Sequence, residues 1–201
     1  MNVLSRLQGR LWRTIGTNFV VRMIFRGGAK IGQQPVIYGW PIIDLCKGSE
    51  IRIGSRAVLT SISAFNAIGV NRKVTIRTLS ANSKVTIGDD VGISGAIICA
   101  STSIHIGAGT LVGANVIIAD NDFHPVDDIS RRYSRQPSGR PVHIGENVFL
   151  GTNTIVLKGS TIGENSVIGA GSVVSGLIPP NVVAAGNPCR IIRELNVGRL
   201  V

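Results

Sequence analysis

The residues best suited to chemistry gather in one short string, Asp120-Asn121-Asp122-Phe123-His124-Pro125. An imidazole titrates near neutral pH and can take a proton from a hydroxyl as that oxygen attacks. A nearby carboxylate, Asp120 or Asp122, could orient the ring and stabilise its cationic form. The string opens a stretch, 120–141, that breaks the regularity on either side of it, and it also holds Arg131, Arg132, Arg135 and Arg140. His105 lies between Ile104 and Ile106, and His143 between Val142 and Ile144. If those apolar neighbours face a core, strand alternation turns both rings outward, toward solvent or a neighbouring subunit. Cys46, Cys99 and Cys189 are odd in number, far apart and without a CxxC pair, which reads as reduced thiols.

The elements that must position these groups follow a six-residue period. Ile87, Ile93 and Cys99 stand six apart, then Ile106, Val112 and Ile118, then Ile144, Leu150, Val156, Ile162, Ile168 and Val174. Gly or another small residue usually comes next, as at Gly107, Gly113, Gly145, Gly151, Gly163 and Gly169. Four positions after the apolar residue come Thr110, Val116, Val148, Thr154, Ser160, Ser166 and Ser172. If each hexad is one short strand and one turn, its first residue points inward at the same place in every layer. Stacked layers then bury a column of Ile and Val that a single layer could not bury. The period predicts a parallel β-helix, with Cys99 at an inward, core position. Residues 31–86 follow it loosely, with turns or a small excursion within 60–84. A long non-repeating insert in such a stack is where function concentrates.

The first 30 residues differ. Val3, Leu7, Leu11 and Ile15 recur every four residues, predicting an amphipathic helix over 2–25 that ends at Gly27-Gly28. Residues 1–43 carry six basic side chains and no acidic one, so this tip holds most of the +10 net charge. The helix could pack on the body of the protein or a neighbouring subunit, or lie in an anionic membrane interface with its apolar face down. A nucleic-acid partner is not expected: no aromatic stacking platform, zinc-ligand spacing or recognition helix accompanies the charge. The sequence shows no transmembrane-length apolar run and no charged start followed by an apolar signal region. A cytoplasmic protein is expected, peripheral on the membrane if the helix binds there.

The pattern [Ile/Val/Leu]-Gly-x-x-[small or Val]-x resembles the hexapeptide-repeat acyltransferases, all-β proteins that fold as left-handed parallel β-helices. The resemblance covers residues 87–193 well and 31–86 loosely. It implies an acyltransferase domain over 31–193, and the N-terminal helical segment, 1–30, lies outside it. A loop protrudes over 120–141, and a closing segment spans 176–201. Asp-Asn-Asp-Phe-His-Pro is similar to the place where sugar and antibiotic O-acetyltransferases of this family carry their catalytic histidine, which implies that role for His124. Oxyanion donors could then come from backbone N–H groups near Gly113 and Ala114.

The stretch from Ser172 to Arg193 looks like the segment closing galactoside- and maltose-type enzymes, which bind coenzyme A between adjacent β-helices of a trimer. This implies acetyl-CoA as co-substrate, a homotrimer, Gly113, Thr152, Ala170 and Ser175 along the pantetheine arm, and Arg190 and Arg193 at the phosphates. The acceptor contacts implied are Ser94 and Arg131. The matching stretch, Ile93-Ser94-Gly95-Ala96, lacks the asparagine found in galactoside-type enzymes, which speaks against a simple galactoside or maltose. The basic N-terminal helix is more like enzymes acting on lipid-linked precursors of O-antigen, capsule or exopolysaccharide. Sugar O-acetylation in surface-polysaccharide assembly is the leading expectation. N-acetylation of an amino-sugar nucleotide, serine O-acetylation and a non-catalytic trimeric scaffold are the alternatives. Zinc chemistry of the γ-carbonic anhydrase kind would need two closely spaced histidines on one face, whereas here they lie nineteen residues apart, and no metal is expected.

Overall fold

The computed structural model describes residues 11–133 and 139–196. Arg135 and the first part of the predicted N-terminal helix lie outside the described residues. The body is a left-handed β-helix whose strands form three parallel sheets. The first sheet runs from Lys30–Ile31 to Leu177–Ile178, the second from Val36–Tyr38 to Val182–Ala185, and the third from Ile42–Asp44 to Val173–Val174. Each coil visits the three sheets in turn.

The register shows why the hexads repeat. In the first sheet Ile53, Ile87, Ile106, Ile144, Ile162 and Ile178 pair successively. In the second Leu59, Ile93, Val112, Leu150, Ile168 and Ala184 do the same. All are buried. Each Ile, Leu or Val among them contributes about 1.5–3 kcal/mol by leaving water. The turns pack as closely as the strands. A Cβ on Gly107 would come within 2.5 Å of Glu146 N, and one on Gly151 within 2.5 Å of Ala170 N. The small hydroxyl residues are buried but satisfied: Ser160 Oγ donates to Leu157 O at 2.7 Å and Ser166 Oγ to Pro179 O at 2.8 Å. Without these carbonyls each buried hydroxyl would be costly.

Two expectations need correction. Cys99 is buried but is not in the inward column, where Ile98 stands between Ile76 and Ile118. The corner between Ile93 and Ile98, made at Gly95 with φ 55°, is one residue shorter than its counterparts. The chain then takes eight residues from Ile98 to Ile106, so the period resumes one residue late. The irregular stretch is narrower than 60–84: Thr75–Thr78 and Lys84–Ile87 are regular strands, and the excursion spans 61–74. Within residues 31–86, Ile37, Ile51, Ile53, Leu59 and Ile76 already belong to the core, so the loosely repeating half is β-helix too.

At the N-terminal end a π-helical turn, Trp12–Gly16, runs into an α-helix, Thr17–Arg26. This helix caps the first coil. Val20 and Ile24 are buried on it, and Thr17 Oγ1 accepts the Ile37 N–H at 2.9 Å while donating to Trp12 O at 2.8 Å. An adjoining face leaves Leu11, Ile15, Phe19 and Met23 exposed. At the other end, Arg190–Glu194 turns back antiparallel on Val182–Ala185.

Candidate functional site

The insert 120–141 leaves the β-helix at the corner after Ile117–Ala119, and Asp120 fixes that departure. Its carboxylate is fully buried. Oδ1 accepts the Ser101 N–H at 2.7 Å, and Oδ2 accepts the Thr102 N–H at 2.7 Å and the Thr102 hydroxyl at 2.8 Å. Asn121, also buried, accepts the Phe123 N–H on Oδ1 at 2.9 Å. Phe123 takes a left-handed backbone, φ 62°, that an aromatic residue rarely adopts. This turn sends His124 outward. His124 Nδ1 lies 3.2 Å from the Arg131 carbonyl oxygen. Nδ1–H can donate there, which leaves Nε2 as the basic nitrogen.

The carboxylates expected to orient the ring are engaged elsewhere. Asp120 is held by Ser101 and Thr102, and Asp122 pairs with Lys158 from the next coil at the same corner. The Arg131 side chain turns back on its own loop, where its Nη2 donates to Val126 O at 3.0 Å. Cys99 lies beside this corner, where burial and then the Asp120 charge push its thiol pKa up. A protonated, buried thiol is a poor nucleophile.

A groove runs along a different corner, the one after the second sheet. Gly113, Ala114, Thr152 and Ala170 line it, with Phe149 beside them and Ser94, Asn66 and Ile68 at its upper end. These corners stack through Asn115 N to Ser94 O (3.0 Å), Asn153 N to Ala114 O (2.9 Å) and Gly171 N to Thr152 O (2.9 Å). The small residues leave room for a slender chain. The Gly113 N–H donates to Leu150 O at 2.9 Å and so cannot serve as an oxyanion donor. Ala114 N–H remains the candidate.

Arg190 pairs in register with Ala185, at the C-terminal end of this same corner column, and Arg193 pairs with Val183. Both guanidinium groups are exposed, on a strand and not on a helix. The site residues named in the sequence therefore sort onto two corners. Gly113, Thr152, Ala170, Ser94 and the arginine end share one. Asp120, Asp122 and His124 share another, where Ser175 also lies, exposed, after Val173–Val174. The strand Ile117–Ala119 spans the sheet between the two.

Sequence reasoning missed Lys158, the Arg131 carbonyl, and Asn66 with Ile68. Lys158 follows Val156 at the position that Asp120 takes after its register partner Ile118 in the preceding coil. A stack of left-handed asparagines also went unread. Asn147 Nδ2 donates to Asn165 Oδ1 at 3.0 Å, and Asn165 Nδ2 to Asn181 Oδ1 at 2.9 Å. Asparagine tolerates positive φ better than most residues, and here its amide also ties successive turns together.

Residues 141–176 match the bacterial transferase hexapeptide (six repeats) family. The matched segment carries the hexapeptide repeat, and the strands around it stack in the same three parallel sheets. It is 43% identical over 120 residues to the galactoside O-acetyltransferase of Escherichia coli (strain K12), covering 60% of this chain and 53% of that protein. It is 44% identical over 116 residues to the galactoside O-acetyltransferase of Lactococcus lactis, covering 58% and 50%. The chain thus spans about half the length of these relatives. Among solved structures, a galactoside acetyltransferase in complex with coenzyme A shares the fold with TM-score 0.53 at 24% identity, covering 96% of this chain and 80% of that one. The polysialic acid O-acetyltransferase OatWY has TM-score 0.51 at 25% identity, covering 86% and 92%.

Proposed function

We propose that this protein transfers an acetyl group from acetyl-CoA to a sugar hydroxyl in surface-polysaccharide assembly, with His124 as general base. The observation that carries this reading is the placement of His124. Its insert leaves the same coil that contributes Gly113 and Ala114 to the groove, and its Nδ1 meets a backbone carbonyl, leaving Nε2 to accept a proton. The similarity to galactoside O-acetyltransferases supports the reaction class.

Coenzyme A would fit the groove by its shape: Gly113, Ala114, Gly151, Thr152 and Ala170 present little side-chain bulk. Arg190 at the foot of the column would meet phosphate. Acetyl-CoA supplies an activated thioester acyl group. His124 Nε2 takes the proton of the attacking hydroxyl, and the imidazolium can later give it up to the departing thiolate. Ala114 N–H would donate to the developing oxyanion.

The two corners argue for assembly. His124 and the groove lie on opposite sides of the third sheet, so one protomer does not complete the site. A homotrimer whose three-fold axis runs along the β-helices would bring the His124 loop of one copy to the groove of the next at equal height. Val126, Ile129 and Tyr133 on the loop are exposed, with Ile129 at 98%, and such apolar side chains would pack against a second copy.

The reading includes peripheral attachment to the inner face of the cell membrane through the segment 2–25. The exposed stripe Leu11, Ile15, Phe19 and Met23, in a tip rich in arginine and free of acid, supports it. Among the described residues no helix is long and apolar enough to cross a membrane. A lipid-linked saccharide would then be presented to an enzyme held at the same surface.

The direct test is His124→Ala, with acetyl transfer to a saccharide panel and acetyl-CoA binding measured in parallel. Turnover should fall about 100- to 10,000-fold while acetyl-CoA affinity holds. Turnover that survives would remove the base assignment.

A further inference from the structure

The second departure from the repeat, residues 61–74, has no part in the chemistry above. It leaves the β-helix after Val58–Thr60, at the corner that in later coils holds Gly113, Thr152 and Ala170. It makes a 3-10 turn, Ser63–Phe65, and rejoins the third sheet at Thr75. Its course is held firmly. Phe65 stacks on Tyr38 with ring centroids 4.6 Å apart. Val74 N–H donates to Ser61 Oγ at 3.0 Å, and Asn71 N–H donates to Asn115 Oδ1 at 3.0 Å. A Cβ on Gly95 would come within 2.7 Å of Val70 Cβ, so Val70 lies against that turn. The insert therefore descends along the corner from the second coil to the fourth. It closes the upper end of the groove with Asn66 and Ile68, beside Ser94.

We propose that Asn66 and Ile68 form the acceptor wall of the site and select an uncharged pyranose. This rests on the acetyl-transfer reading, in which the acyl group is delivered at the height of Gly113 and Ala114. The arm and nucleotide occupy the groove below, toward Ala170 and Arg190. Space above that height, bounded by Asn66, Ile68 and Ser94, is left for the acceptor. Ile68 is 71% exposed although the chain on both sides of it is tethered, so a rigid segment presents a large apolar side chain to the groove. The flat apolar face of a sugar ring matches it. Asn66 Oδ1 accepts the Ile68 N–H at 3.1 Å, which turns the carboxamide so that its NH2 can donate to a ring hydroxyl. Ser94 supplies a second polar contact. Among the described residues no charged side chain of the same protomer lines this groove.

The test uses the full-length protein, acetyl-CoA, and two aryl glycosides, a neutral nitrophenyl galactoside and an acidic nitrophenyl glucuronide. Ile68→Ala and Asn66→Ala should each raise KM for the neutral glycoside about tenfold, leaving KM for acetyl-CoA and the thermal midpoint unchanged. Ile68→Lys should shift the kcat/KM ratio toward the glucuronide. If acceptor KM stays at the wild-type value in the alanine variants and the Lys variant keeps the wild-type preference, the acceptor wall is elsewhere and the inference alone is overturned. KM values for acceptor and acetyl-CoA rising together would equally overturn it, since the insert would then serve the groove as a whole. A wild-type protein that binds acetyl-CoA but acetylates no glycoside would overturn the acetyl-transfer reading, and this inference with it.

Discussion

His124 Nδ1 sits 3.2 Å from the carbonyl oxygen of Arg131, seven residues along the same loop. The loop therefore orients its own histidine through the backbone, and the nearby aspartates hold the loop in place. Arg131→Ala keeps that carbonyl and removes only the guanidinium bond to Val126 O. The substitution should lower kcat far less than His124→Ala does. Steady-state kinetics on the two variants check this, and equal losses would show that the Arg131 side chain acts on the acceptor.

Asp120 should matter for stability before it matters for rate. Asp120→Ala strands the Ser101 and Thr102 N–H groups in a buried corner, at a cost of about 3 kcal/mol. Asp120→Asn keeps one acceptor oxygen and should lose less. Urea denaturation midpoints of the two variants give the order, and the reverse order would contradict the bracing role.

Lys158 and Asp122 join the insert to the coil below it. Lys158→Met retains the aliphatic stem and removes the charge, so the first turn of the loop should loosen around His124. The expected result is a fall in kcat of about tenfold, with acetyl-CoA binding unchanged. Faster amide exchange at 121–124 than in the wild type would locate the effect, and unaltered exchange with unaltered kcat would refute it.

His105 and His143 stack on the outer face of the first sheet, with centroids 4.8 Å apart and planes 9° from parallel. Burial, then the His143 ring, depress the His105 pKa, and Glu146 acts weakly the other way. A histidine whose folded pKa is lowered binds its proton more readily when unfolded. Its contribution is complete above the ordinary value of about 6.5 and is lost as pH falls through that value toward the folded one. The thermal midpoint should therefore drop between about pH 7 and pH 5, and His105→Gln should flatten that slope. An identical slope in the variant would assign the pH dependence to other groups.

The helix Thr17–Arg26 keeps one apolar face on the first coil and leaves another bare, with Trp40 packed against Phe19 at 5.5 Å. Binding to anionic vesicles should weaken as salt rises. It should be lost in Phe19→Asp/Met23→Asp, which leaves Val20 and Ile24 in place. Vesicle co-sedimentation tests this, and undiminished binding by the double variant would exclude this face as the contact.

The fold was legible because the hexads are redundant. From Ile144 to Val174 each inward residue repeats the same environment, and the strand pairing follows from stacking alone. Cys99 escaped this logic because the Gly95 corner is one residue short, a change in turn geometry with no signature in hydrophobic period. Asp120 and Asp122 were legible as chemistry-bearing residues beside a histidine. Their partners were not, since Ser101, Thr102 and Lys158 come from neighbouring coils, eighteen to thirty-six residues away in sequence.

The sequence by itself determined the β-helix, the interruption at Asp120–Pro141 and the basic, apolar N-terminal tip, because periodicity and charge are local properties of the chain. Only the tertiary structure decided which residues share a corner. The triangular coil sets Gly113, Thr152, Ala170 and the Arg190 end in one column and the His124 loop on another, and it lays Asn66 and Ile68 along the first. Residues one coil apart become neighbours by strand pairing at about 4.8 Å, while residues a few positions apart can be separated by a whole face of the prism.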